Sequence, residues 1–555
     1  MNRLLQASAV ALVVLGAVTA EAKKIIAPLW PSEYGVARDG KPLAAYGDGN
    51  YHYDLSVPRV LLVYRNYTEE TGLMSDDALS YLITAVEAKK LETFSFPPGG
   101  EFYHSETESD AQYLWRWIGM FGPDLVVEVV PGEKEEWYVP ATKNLPQLAA
   151  LAKALPNARE LPDSKQLVSQ LTKSAPCATG IVPAVRVVCK DNSYLDTLGA
   201  AITKAPLPIS PARAELQKRV ARSPEQVAAQ LLEVYGKKLD SVQYIPALAV
   251  VGRVRRDWLQ AGDKAPISPI VLSAVEPYLS GKKPALAPKG GGSGTAGHLL
   301  FGELASMTGD KRYVELVKGA ADQAFDADGK PREAMPAHSE MSDAVFMGCP
   351  ILAQAGKLTG DEKYFDACVR NLRFMKKLCL RGDGLYRHSP LDEAAWGRGN
   401  GFPALGLAWS LAEISESYKG REEILLSFEE HMEAMLHFQD DAGCWHQVVD
   451  KPESYREFTV TAMTTYAMAR GVRMGWLDRA KYAPAIKLAW NALRARIGGD
   501  GGLVDVCTGT GKQKSLRDYY DRGAILGRDD RGGAMALMVS TEMMQYERWL
   551  TAKKK

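Results

Sequence analysis

The residues best equipped for chemistry lie between positions 338 and 402. The run SEMSDAVFMGCPILAQAG (339–356) reads as an apolar helix with one acid, Asp343, near its start, set among Met341, Val345, Phe346 and Met347. Apolar surroundings disfavour the ionised form of a carboxyl group, so an acid placed there is suited to donating a proton. The second segment, AWGRGNGF (395–402), places Arg398 and Asn400 between glycines and the aromatic residues Trp396 and Phe402. A guanidinium is a planar fork matched to a carboxylate, and an aromatic face suits a sugar ring. Together they fit an anionic, ring-shaped ligand better than a core. Structural readings stand beside these: Asp343 as an ordinary acid at a helix N-terminus, and Arg398 as a donor to helix-end carbonyls with its glycines as turns.

The elements that must hold these residues are helices. From residue 296 onward the chain reads as helix after helix, and LASMTGDKRYVELV (304–317) and LAQAGKLTGDEKYFDACV (352–369) share TGDxxY. Each copy is an apolar helix, a glycine turn and an Asp N-cap opening a second helix, which makes a helical hairpin. Further pairs are expected at 401–418 with 422–437 and at 459–474 with 478–497, followed by a last helix at 532–550. Hairpins repeating at about 50 residues predict a closed α/α toroid, in which the loops at one end share a cavity.

Upstream the pattern differs. RVLLVY (59–64) and DLVVEVV (124–130) read as buried strands, and DDALSYLITAVEAKK (76–90) and ESDAQYLWRWIGMFG (108–122) as helices, the signature of an α/β layer with parallel strands. SPEQVAAQLLEVYGKKL (223–239) predicts a helix with Ser223 as N-cap and Gln226 completing a capping box. The expected organisation is a leader over 1–22, an α/β accessory or degenerate hydrolase-like domain over 23–255, and an α/α barrel over 256–555.

Composition narrows the function classes. With 67 basic and 67 acidic residues, no global field favours nucleic acid or a membrane surface. Arg3, the apolar run 7–20 and the small residues Ala20 and Ala22 predict a signal peptide cleaved after Ala22, hence an exported (periplasmic or extracellular) protein with no membrane span in the mature chain. The seven cysteines form no CxxC pair or regular framework; one bridge, Cys177 to Cys189, is conceivable. DVCTGTGKQK (505–514) lacks the spacing of a phosphate-binding loop and reads as a loop between helices on the substrate side. No metal or other cofactor is expected.

Residues 287–547 resemble glycoside hydrolase family 105, the unsaturated rhamnogalacturonyl hydrolases, with family 88 as nearest relative. The TGDxxY hairpins, AHSEMSDAVFMGCP, GLYRHSP, AWGRGNGF, GCWHQVVDKPESYREFTVTAM, DVCTGTG, YYDR and RDDRGGAMALMVSTEM carry the resemblance. It implies an α/α barrel and a substrate whose terminal uronic acid has a C4=C5 double bond, a vinyl ether. Protonation at C4 and addition of water at C5 give a hemiketal that opens and releases the glycosidic link, without the direct displacement of two-carboxylate glycosidases. By motif match, Asp343 is the implied catalytic acid, and His338, His388, Trp396, Arg398, Asn400 and Phe402 the implied substrate-binding residues.

The chain departs from the family pattern in three places. Met341 and Ser342 stand where a tryptophan is usual, Phe458 follows Glu457 where an ES pair is usual, and the glycine run near Gly292 replaces a second aspartate. Two other readings follow: a non-catalytic carbohydrate-binding toroid, or an esterase or peptidase activity in the α/β part. The latter rests on a faint zinc carboxypeptidase-like look around His104, Glu106, Glu108 and Glu128, without the His and Glu such a site needs after its first strand.

Overall fold

The computed structural model describes residues 30–37, 40–47, 58–64, 82–87, 109–141, 143–262, 266–286, 291–337 and 339–553. The expected leader, His338, and the His104, Glu106 and Glu108 group lie outside them.

The N-terminal part is a mixed sheet of β1 (Trp30–Val36), β2 (Pro42–Gly47), β3 (Arg59–Tyr64), β4 (Leu82–Glu87), β5 (Leu125–Pro131), β6 (Glu136–Pro140), β7 (Arg159–Leu161) and β8 (Ala184–Cys189). Its order is β1-β2-β4-β3-β5-β8-β6-β7. The centre is parallel, as expected, whereas β1–β2, β2–β4 and β6–β8 pair antiparallel. One expectation fails here: LITAVE (82–87), read as part of a helix, is strand β4. Its short apolar run satisfies both periods, and the hydrogen-bonding edges offered by β2 and β3 decide the matter.

Helices α1 (Ser109–Phe121), α2 (Pro146–Ala154), α3 (Leu167–Leu171), α4 (Tyr194–Lys204) and α5 (Pro211–Val220) belong to this part. Strand β3 is buried on both faces. Val60 and Leu62 pack into the cluster holding Leu148 of α2 and Leu198 of α4, while Leu61 and Val63 pack into the cluster of α1. That second cluster continues into Trp396, Tyr455, Tyr519 and Tyr520 of the C-terminal part, so the two domains share a core.

The C-terminal part is a ring. Its helices are α6 (Pro224–Leu232), α7 (Tyr244–Ala261), α8 (Pro269–Leu279), the short α9 (Gly292–Gly297) running into α10 (Leu299–Thr308), α11 (Lys311–Ala321) and α12 (Ala344–Thr359). After these come α13 (Lys363–Cys379), α14 (Gly397–Glu413), α15 (Arg421–His437), α16 (Phe458–Met474) and α17 (Arg479–Ala495). A hairpin of β9 (Leu503–Cys507) and β10 (Ala524–Gly527), with α18 (Leu516–Tyr520) between its strands, leads to α19 (Asp530–Ala552).

Helices α7, α9–α10, α12, α14, α16 and α19 each pack on the next, and α19 returns to α7, which closes the ring. Helices α11, α13, α15 and α17 back the inner helices that precede them, α8 backs α7, and α6 backs α19. The fold is thus an α/α toroid preceded by an α/β domain. The expected division at residues 255 and 256 falls inside α7, an inner helix, because closure requires α6 and α7 from upstream. Ser223 and Gln226 form the expected capping box on α6. All seven cysteines are free and buried, which removes the Cys177–Cys189 bridge. Among the described residues no helix is long and apolar enough to cross a membrane.

Candidate active site

Because each inner helix is followed by an outer helix running back, the inner helices are parallel and their N-termini meet at one end. Tyr244 of α7 touches the rings of Phe346 in α12 and Phe402 in α14, Ser342 bonds the Gly399 carbonyl, and Arg398 bonds Thr459 of α16. Aligned dipoles make this end favourable to negative charge.

Asp343 occupies the N-cap of α12 but does not cap it: the residue is helical (φ −50°, ψ −29°) and no main-chain N–H of the helix donates to its carboxylate. Instead Oδ2 lies 3.0 Å from His388 Nε2, while Oδ1 is buried without a hydrogen-bond partner among the described residues. The side chain is almost wholly buried, at 3% exposure. Leaving a carboxylate oxygen unpaired in such a place is costly, and a fold keeps such groups chiefly where chemistry uses them. Three other acids at this end are committed to structure. Glu457 caps α16 through Val460 N (2.7 Å) and accepts from Cys507 N (3.0 Å). Asp529 caps α19 through Gly532 N (3.0 Å) and pairs with Arg531 (2.7 Å); burial works against its charge, but Arg531 and the cap hold its carboxyl below the usual range. Asp505 pairs with Arg116 of α1 at 2.9 Å. Hence the absent second aspartate near Gly292 is not replaced by any of these three.

His388 is wholly buried, with its ring 4.3 Å from that of Trp396. Its carbonyl accepts from Ser342 N (2.9 Å), which ties the histidine to the residue beside the acid. On its far side, Nδ1 meets the Tyr519 hydroxyl at 2.8 Å. Tyr519 belongs to this arrangement although no sequence pattern names it, and so does Ser342, which the sequence marks only as a departure from the family pattern. The YYDR motif was the available signal, but only the β9–β10 excursion shows which tyrosine arrives.

The GRGN residues form the first turn of α14, and the glycines serve close approach: a Cβ on Gly397 would stand 2.5 Å from the His446 carbonyl. Arg398, expected as a carboxylate fork, donates from Nε to Thr459 (2.9 Å), from Nη1 to Gly509 O (3.1 Å) and from Nη2 to Cys507 O (2.5 Å). It therefore acts as a strut fastening segment 507–509 to the ring end. Asn400 bonds the Tyr386 main chain in both directions and the Trp396 carbonyl. Trp396 and Phe402, expected as sugar platforms, are buried; Phe402 stacks on Phe346 with centroids 5.5 Å apart. The structure thus joins Asp343 and His388 directly and turns Trp396, Arg398, Asn400 and Phe402 into their support. Among the described residues no His, Cys, Asp and Glu cluster could hold a metal, and Glu128 is paired with Arg186 at 2.7 Å.

Residues 293–547 match the family profile of Glycosyl Hydrolase Family 88. The unsaturated 3S-rhamnoglycuronyl hydrolase of Formosa agariphila is 33% identical over 173 residues, 27% of this chain and 45% of that enzyme. The unsaturated rhamnogalacturonyl hydrolase YesR of Bacillus subtilis is 24% identical over 243 residues, 40% of this chain and 68% of that one. The chain thus spans less than half the length of the first of these relatives. A family 105 glycoside hydrolase structure from C. acetobutylicum covers 59% of this chain and 99% of its own at 21% identity, with a TM-score of 0.48. The C-terminal half of this chain carries a domain of Glycosyl Hydrolase Family 88.

Proposed function

We propose that the protein is a glycoside hydrolase of the unsaturated uronyl type, removing a 4,5-unsaturated uronic acid from the non-reducing end of oligosaccharides left by polysaccharide lyases. The observation that carries this reading is the half-satisfied carboxyl group of Asp343, a buried acid at the ring end that neither caps a helix nor meets an arginine among the described residues. The relatives' names point to the same substrate class.

One acid suffices for a vinyl ether. Asp343 Oδ1 delivers its proton to C4, positive charge develops at C5 and the ring oxygen, and water adds at C5. The hemiketal then opens at C5–O5 to a ketone, leaving a hemiacetal at C1 that collapses to the aldehyde and releases the aglycone, with no nucleophile on the protein. His388 Nε2 steadies the carboxylate left behind. The N-terminal ends of the inner helices favour the substrate's own carboxylate. The export read from residues 1–22 is part of this proposal, and the N-terminal residue of the protein recovered from a periplasmic fraction tests it, with Lys23 expected.

Incubation with unsaturated rhamnogalacturonan, galacturonan or ulvan fragments is expected to bleach the ultraviolet absorbance of the conjugated double bond, with saturated counterparts left intact. Tight binding of these sugars without bleaching would instead establish a non-catalytic toroid.

A further inference from the structure

Between α17 and α19 the chain leaves the ring, runs through β9, α18 and β10, and returns. This excursion carries Tyr519, which is 1% exposed and whose hydroxyl lies 2.8 Å from His388 Nδ1 and receives the Gln513 main-chain N–H at 3.1 Å. The α/β domain grips the excursion at three points. Arg116 Nη1 binds Asp505 on β9 (2.9 Å), Arg116 Nη2 binds the Ala524 carbonyl at the start of β10 (2.9 Å), and the Ala37 carbonyl after β1 receives Arg517 of α18 (3.2 Å).

A phenol has one proton to give. Tyr519 accepts from Gln513, and its own proton is free to be given along the contact with Nδ1. Burial pushes the phenol up to about 12, so that proton is present throughout the working range. A neutral imidazole that accepts at Nδ1 carries its hydrogen on Nε2 and gives it to Asp343 Oδ2. With Oδ2 occupied as an acceptor, any proton taken up by Asp343 resides on Oδ1, the oxygen without a protein partner. Resting on the function proposed above, we infer that Tyr519 is a positioning residue that fixes the His388 tautomer and thereby directs the acid's proton to Oδ1, and that the α/β domain serves the active site by holding Tyr519 in place. Outer partners of this kind commonly set which ring nitrogen of a histidine carries hydrogen.

The test is Tyr519→Phe in the full chain, which deletes one oxygen and keeps the ring that packs on Trp396 and Arg522. The melting temperature reports on the fold. Imidazole nitrogen shifts of 15N-histidine-labelled protein, with His388→Gln assigning the signal, report the tautomer without reference to activity. The wild type is expected to show the Nε2–H form, and Tyr519→Phe a mixture, with kcat lowered about tenfold and KM within about twofold. Arg517→Ala is expected to move both readouts the same way by less. An Nδ1–H form in the wild type, or unchanged shifts and kcat in a folded Tyr519→Phe, overturns the inference; unchanged readouts in Arg517→Ala overturn the part given to the α/β domain. Should the wild type bleach no unsaturated substrate, the proposed function falls while the tautomer still decides the role of Tyr519.

Discussion

The two ends of the ring each hold a buried acid, Glu542 and Asp343, and these two acids are handled in opposite ways. At the C-terminal end, Glu542 of α19 is 1% exposed and fully answered: Oε2 accepts from Arg470 Nε and Nη2 (2.9 and 2.7 Å), and Oε1 from Arg473 Nε (2.9 Å). Nearby Arg255 pairs with Glu303, bonds Tyr466 (2.9 Å) and lies over Trp409. At the N-terminal end, Asp343 is about as buried yet, among the described residues, has one histidine on one oxygen and no partner on the other. Burial is therefore common to the two acids, and satisfaction separates them: the fully paired one holds helices together, as Glu457 and Asp505 do at the other end, whereas a half-paired one is suited to proton transfer.

This contrast breaks first at Asp343. Asp343→Asn is expected to lower bleaching activity by about 10³-fold, near the middle of the range for a general acid, while leaving the melting temperature unchanged or higher. A marked loss of stability would show that the acid is structural after all. The reverse holds at the other end: Glu542→Gln leaves the buried Arg470 and the part-buried Arg473 without their counter-charge and is expected to cost about 3 kcal/mol in urea unfolding, with activity per folded molecule unaltered.

The same pair predicts a pH effect. Burial works against the Glu542 charge, but Arg470, Arg473 and Arg255 hold its carboxyl below the ordinary value. Its stabilisation is thus complete above the unfolded-state value of about 4.3 and is lost as pH falls through the folded-state value below it. Melting temperatures measured down the acid range should fall for the wild type and fall less steeply for Glu542→Gln. Smallest is the effect of Lys512→Ala, which removes the half-exposed pair to Glu340 at 3.2 Å; a change within about 0.5 kcal/mol in stability is expected.

Much of the ring was legible in the chain. Its hairpins announce themselves through period, glycine turns and Asp caps, and the N-cap Asp310 of α11 bonds Arg312 N as the TGDxxY motif requires. Closure was not legible, because α7 and α19 meet across most of the domain's length and neither carries the motif. At the site, Asp343 and His388 could be named from sequence, but their partners could not. The carbonyls that occupy Arg398 come from Cys507 and Gly509, more than 100 residues away, so local pattern showed a fork without showing that it was full. The helix expected over LITAVE failed for a related reason: a six-residue apolar run takes its conformation from the edges it meets.

That one acid is enough depends on the bond being broken by hydration rather than displacement. Turnover of an unsaturated disaccharide by the wild-type protein in aqueous methanol, followed by NMR, decides this most directly. Hydration predicts methanol captured at C5 as a methyl ketal with the double bond gone and the glycosidic bond still present. A methyl glycoside at C1 with the double bond intact would contradict the account, since that outcome requires displacement at C1 and a second carboxylate beyond Asp343.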